Sequence, residues 1–162
     1  MMQSIVRWYV AKIKPRTGKK IKEYLDSVGV ENYLPLQSDE QSLLSDLFFV
    51  RTDRETALSL PRESGMAMDF LYDPATHQLQ FVPDTQIVAF QFVQSHFDEL
   101  IFLPEPENLQ GGENVRVTGG EFAGVEGEIF RIKGHKRVVV RLGNAGAVAL
   151  GSYVAKENLE RI

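Results

Sequence analysis

The 162-residue chain has no cysteine and only three histidines. Without thiols there can be no disulfide and no thiolate metal centre. His77, His96 and His135 stand too far apart in sequence to suggest a ligand set, so no metal or cofactor is expected. Long apolar runs are missing too. No stretch reaches the roughly 18 consecutive apolar residues of a membrane-spanning helix. The start, Met1 to Pro15, lacks a basic segment followed by a long apolar one and so does not read as a signal peptide. A cytoplasmic protein without a membrane partner is the expectation. Carboxylates are plentiful, but no pair is tied to an acid–base motif and no serine sits in a nucleophile elbow. Gly119 to Gly127 matches neither dinucleotide nor P-loop spacing, and no helix follows it to hold a phosphate. Catalysis is not expected.

What is present describes a globular protein built to bind. The length allows one large core or two small ones. The net charge of −4 argues against a protein that coats nucleic acid by bulk electrostatics. The distribution says more. Residues 1–22 carry Arg7, Lys12, Lys14, Arg16, Lys19, Lys20 and Lys22 with no acid, whereas residues 23–106 hold fifteen acids against Arg51, Arg54 and Arg62. Such a basic edge on an acidic domain suggests one local anionic contact; a solvated strand–helix surface is the plainer alternative.

Along the chain, Trp8 to Ile13 reads as a strand that Pro15 ends. Thr17 is placed to cap a helix on which Ile21, Tyr24, Leu25 and Val28 form one apolar face, with Gly29 as its C-terminal stop. Val30 to Leu36 is extended. Leu47-Phe48-Phe49-Val50 is too short and aromatic for a helix, and in a strand Phe48 and Phe49 point to opposite faces, so only one is expected inside. Residues 53–60 suggest a helical turn, 66–72 and 78–82 strands, and about 85–98 a helix capped by Asp84 that buries Ile87, Phe90, Val93 and Phe97. The order describes an α+β layer. Leu103 to Asn108, proline-rich and acidic, reads as a linker. The expected division is residues 1–102, a linker at 103–111, and a domain at 112–162.

Beyond residue 112 short strands alternate with glycine-rich turns, the pattern of a small all-β barrel. Its core signal is the run Val115 to Ile129. Gly119-Gly120 suits a tight turn, Phe122 can fold back onto the barrel, and Gly127 interrupts a strand where a missing side chain would let another backbone approach. Arg131, Lys133, His135, Lys136 and Arg137 form a basic hairpin, either a solvated turn or a contact for RNA.

This run resembles the KOW motif, with Gly120, Phe122 and Gly127 at its characteristic positions. Together with Trp8-Tyr9-Val10, the basic helix, Tyr33-Leu34-Pro35-Leu36, Leu47-Phe48-Phe49-Val50-Arg51 and the ending Glu157 to Ile162, nearly the whole chain resembles the NusG family of transcription elongation factors. Phe49-Val50-Arg51, Val82-Pro83-Asp84 and the run from Arg131 to Val140 look most like UpxY-like specialised NusG paralogues of Bacteroidetes. The resemblance implies a ferredoxin-like α+β NGN domain followed by an SH3-like all-β KOW barrel, in a monomeric antitermination factor for long operons such as those for polysaccharide synthesis.

It also implies sites. The NGN domain would dock on the clamp helices of the RNA polymerase β′ subunit through Leu44, Leu47 and Phe49. The family's Phe-Pro-Gly-Tyr stretch is Leu44-Ser45-Asp46-Leu47 here, which keeps apolar area but loses ring stacking of about 0.5–1.5 kcal/mol per pair. Core filling is the alternative role for each of these residues. Lys14, Arg16, Lys19 and Lys20 would touch non-template DNA near the transcription bubble. Leu142 stands where the family's KOW domain carries an aromatic for a ribosomal protein or termination factor, and nascent RNA is a further candidate partner. A housekeeping NusG factor and a ribosome-associated KOW protein are the alternative functions; the acidic N-terminal two-thirds weighs against the second.

Overall fold

A computed structural model describes residues 5–35, 46–96, 100–103, 105, 108–120, 122–150 and 154–162. It divides into two compact units, Met1–Asp84 and Thr85–Ile162.

The first unit starts with β1 (Val6–Ile13), α1 (Gly18–Ser27), β2 (Glu31–Tyr33), β3 (Leu47–Asp53), α2 (Arg54–Ser64) and β4 (Met68–Phe70). The sheet order is β2-β3-β1-β4, all antiparallel, and β5 (Phe81–Val82) pairs with the other half of β1. Two β–α–β units therefore interleave, each helix returning the chain past a strand of the other. Period-two alternation sends Tyr9, Ala11 and Ile13 to the same side as Phe48 and Val50. There they pack with Ile21 and Leu25 of α1 and with Ala57 and Leu60 of α2. The opposite face is buried as well, by Trp8, Val10, Leu47 and Phe49. Phe48 and Phe49 are thus both inside, contrary to the sequence expectation. The unbroken apolar run Leu47 to Val50 marks a strand covered on both faces, which alternation alone does not reveal.

Local signals set the helix ends. At the end of α1, Val30 N–H donates to Leu25 O and Gly29 N–H to Asp26 O, with Gly29 at φ 74°. This is the paired closure for which glycine is the least strained residue. At the start, Thr17 holds the cap position, but its hydroxyl donates to Lys14 O at 2.6 Å and caps nothing. Helix α2 runs past the expected residue 60 to Ser64 with Pro61 inside its last turns. The missing proline N–H forfeits one helical bond. A firm start compensates, because Asp53 accepts from both the backbone N–H and the hydroxyl of Thr56 at 2.8 Å.

The second unit contains most of α3 (Asp84–His96), then β6 (Leu100–Leu103), β7 (Glu113–Val117), β8 (Glu126–Ile132), β9 (His135–Arg141), β10 (Ala147–Leu150) and β11 (Leu159–Arg161). Its sheet runs β11-β7-β8-β9-β10-β6, antiparallel throughout. On α3, Ile87, Phe90 and Val93 are buried as expected, while Phe97 lies outside the described residues. Leu100 to Leu103 pair with β10 within the second unit.

Candidate nucleic-acid interface

The junction of β1 and α1 is a tight turn. Thr17 N–H donates to Lys14 O at 3.2 Å across Pro15 and Arg16, and Arg16 sits at φ 71°. Proline in the second position and positive φ in the third are the marks of a type II turn, whose third position favours glycine. An L-residue held there costs about 1–2 kcal/mol. Arginine occupies it nonetheless, and is exposed.

Lys19 and Lys20 follow in the first turn of α1, which holds no acid and has no side-chain cap. The helix dipole disfavours cations at this end. Lys14, Arg16, Lys19 and Lys20 are all exposed, and none forms an ion pair with a described residue. The C-terminal half of the same helix is different. Lys22 pairs with Asp26 at 3.5 Å and donates to Asn32, and Asn32 donates to Asp26 at 2.8 Å. That bond from Asn32, reinforced by Lys22, holds the Asp26 carboxyl below the usual carboxylate range. Arg51 is likewise engaged, with Glu31 at 3.3 Å and Asp84 at 3.7 Å, and Arg7 lies over the Phe81 ring at 4.1 Å. Four cations without an ion pair among the described residues, Lys14, Arg16, Lys19 and Lys20, thus gather around the β1–α1 turn.

The other expected contacts lie elsewhere. Leu47 and Phe49 are core residues: Phe49 is fully buried, its ring 6.1 Å from that of Tyr33, whose hydroxyl burial pushes well above the ordinary phenol pKa. Leu44 falls outside the described residues. Leu142 is fully buried as well and packs in the core. Its backbone closes the β9–β10 turn by accepting from Ala145 N–H and donating to Gly146 O, and Gly143 N–H donates to Gln86 Oε1 at 2.7 Å.

The turn from Gly120 to Gly124 is ordered by its own backbone. Gly124 N–H donates to Val117 O and Val117 N–H to Val125 O, with Gly120 at φ 81° and Phe122 buried. Gly119 does not share the positive φ; a side chain there would strike Asn158 Oδ1 at 2.6 Å. At Gly127 a Cβ would lie 2.5 Å from Val139 O, so the bare strand admits the neighbouring backbone.

Among the described residues no cluster of His, Asp and Glu could hold a metal ion, and no helix is long and apolar enough to cross a membrane. No protein-family model and no curated protein matches the chain in sequence. Solved structures that match the chain include the following two. One, described as the domain interaction in Thermotoga maritima NusG, has a TM-score of 0.51 and 15% identity over 98% of this chain and 98% of that one. The other, the MjSpt4:Spt5 complex, has a TM-score of 0.29 and 15% identity over 96% and 97%. With its mixed α/β architecture, three α-helices and two sheets among the described residues, the chain shares the fold of the Thermotoga maritima NusG structure.

Proposed function

We propose that this protein is a transcription elongation factor of the NusG type, an operon-specific antiterminator that rides on RNA polymerase in the cytoplasm. The observation that carries the reading is the fold likeness to Thermotoga maritima NusG, which extends over 98% of both chains. The interleaved β–α–β order of the first unit supports a ferredoxin-like NGN domain. The turn around Gly120, Phe122 and Gly127 supports a KOW domain in the second.

In this reading Lys14, Arg16, Lys19 and Lys20 contact phosphates of the exposed non-template strand. Such contacts position without reading bases. Four of them on single-stranded DNA give a log–log salt slope of about −3. The clamp helices remain the proposed dock for the first unit. A contact through Leu47 and Phe49 requires their buried face to open, so they serve the dock by shaping its strand until it does.

The test is retention of the full chain on core RNA polymerase, followed by a read-through assay on a long template. Retention with read-through is the expected result. No retention removes the elongation-factor reading. Retention without read-through removes antitermination and keeps the coarser role. Charge reversal at the four basic residues is expected to weaken recruitment on a nucleic-acid scaffold and flatten its salt dependence; unchanged recruitment would remove the DNA contact.

A further inference from the structure

The β8–β9 end of the second unit holds a cavity of about 670 Å³. Its floor is aliphatic. Val115, Ile129, Val138 and Leu159 line it, brought to one face by the registers of β7, β8, β9 and β11. Its rim is cationic, formed by Arg131, Lys136, Lys156 and Arg161. One acid, Glu113, stands among them and is already bound to Arg161 at 2.9 Å. Arg131, Lys136 and Lys156 have no ion-pair partner among the described residues.

The placement of Arg131 and Lys136 is unusual for a sheet. They are direct cross-strand partners, and like charges facing each other across a ladder are destabilising. Elsewhere in the same sheet the rule is obeyed: Arg116 faces Glu126 on one side and Glu160 on the other, with ion pairs to both. The like-charged pair cannot slip out of register either. Ile132 and His135 close a two-residue turn, Lys133-Gly134, with both residues at positive φ, and the Arg131 side chain donates to Gly134 O at 3.0 Å. An anion at the rim would relieve the repulsion.

We propose that this cavity binds an acidic protein segment that inserts one apolar side chain. The aliphatic floor takes the anchor, and carboxylates on either side of it meet Arg131, Lys136 and Lys156. The volume suits such an anchor, since sites for small ligands span roughly 300–1,000 Å³. A nucleic acid would satisfy the rim but not the floor, because single strands bind by stacking bases on rings. Phe130, the only ring in the lining, is already in use. The Gly112 backbone closes against its edge, where a Cβ would come within 2.4 Å, and the Arg141 guanidinium lies 5.8 Å from its centroid. The site lies at the start of β9, at the far end of that strand from Leu142, and is independent of the polymerase reading.

The test uses the full isotope-labelled chain and a short synthetic peptide of glutamates flanking a single leucine. Its controls are the same peptide with serine for leucine, and oligouridylate. The leucine peptide is expected to shift the amides of Ile129, Val138 and Leu159. Lys136→Glu should weaken it by about tenfold, the effect of losing one well-placed charge contact. The same substitution should raise the thermal midpoint by converting a like-charged pair into an opposite one, so weaker binding cannot be ascribed to unfolding. Equal binding by Lys136→Glu, equal binding of the serine peptide, or stronger shifts with oligouridylate would overturn the proposal.

Discussion

The two units handle charge in opposite ways. In the first, Lys22 and Arg51 are paired with acids, but the β1–α1 junction gathers Lys14, Arg16, Lys19 and Lys20 with no ion pair among the described residues. In the second, charges are mostly matched across the ladder, as with Arg116 between Glu126 and Glu160 and Arg141 with Glu128. The exception is one strand-to-strand step at the mouth of a cavity. In both units the unmatched charge coincides with a local cost to the fold: a left-handed arginine and cations at a helix N-terminus in one, facing like charges in the other. Departures from local consistency of this kind concentrate where a protein serves a partner rather than itself.

The comparison can be sharpened by substitution, beginning with the cores. Phe48→Ala should cost the first unit about 3–5 kcal/mol, because it empties a fully buried ring site. Trp8, the only tryptophan and buried in that unit, reports the loss by fluorescence in denaturant. Gly127→Ala should cost the second unit about 1–3 kcal/mol by overpacking against Val139 O, read from amide exchange along β9. A neutral result there would mean that the close approach of backbones relaxes freely.

Arg16→Gly separates stability from binding. It should stabilise the first unit by about 1–2 kcal/mol through relief of the left-handed conformation. Affinity for single-stranded DNA should fall, with the salt slope shallower by about 0.7. A variant that loses stability, or keeps its slope, breaks the link between strain and function.

The smallest effect belongs to the α2 cap. Asp53→Ala should cost about 1 kcal/mol at neutral pH. The backbone N–H of Thr56, then its hydroxyl, hold the Asp53 carboxyl below its usual range. A depressed folded-state pKa stabilises above the unfolded value of about 3.9 and loses that effect as pH falls through the folded value. The gap in urea midpoint between wild type and variant should therefore stay constant above about pH 4 and close as pH falls below it.

Much of the fold was legible because local chemistry and tertiary structure agree. The strand from Trp8 to Ile13, the glycine stop at Gly29 and the bare strand position at Gly127 each have one physical reading, and the structure carries it out. Legibility failed where a distant partner decides. Phe49 is buried because the strand is covered on both faces, and Leu100 to Leu103 join β10 across more than forty residues of sequence. Pro61 signals a stop that α2 overrides. Within the basic interface, residue types were readable from the acid-free stretch, but the strain at Arg16 was not. Its only trace is a proline one position earlier, which fits several turns. The cavity rim was half visible: Arg131 and Lys136 belong to an evident basic hairpin, while Lys156 and Arg161 come from a distant turn and the last strand.

Strand β6 has a consequence for how this sheet meets its surroundings. By pairing with Leu100 to Leu103, β10 gives up the free hydrogen-bonding side of four consecutive buried apolar residues, Ala147 to Leu150. A fragment starting at residue 112, where composition changes, would bare that edge and offer a template for strand exchange between copies or for aggregation. Strand β6 is therefore an edge guard, and the smallest self-contained form of the second unit must include it.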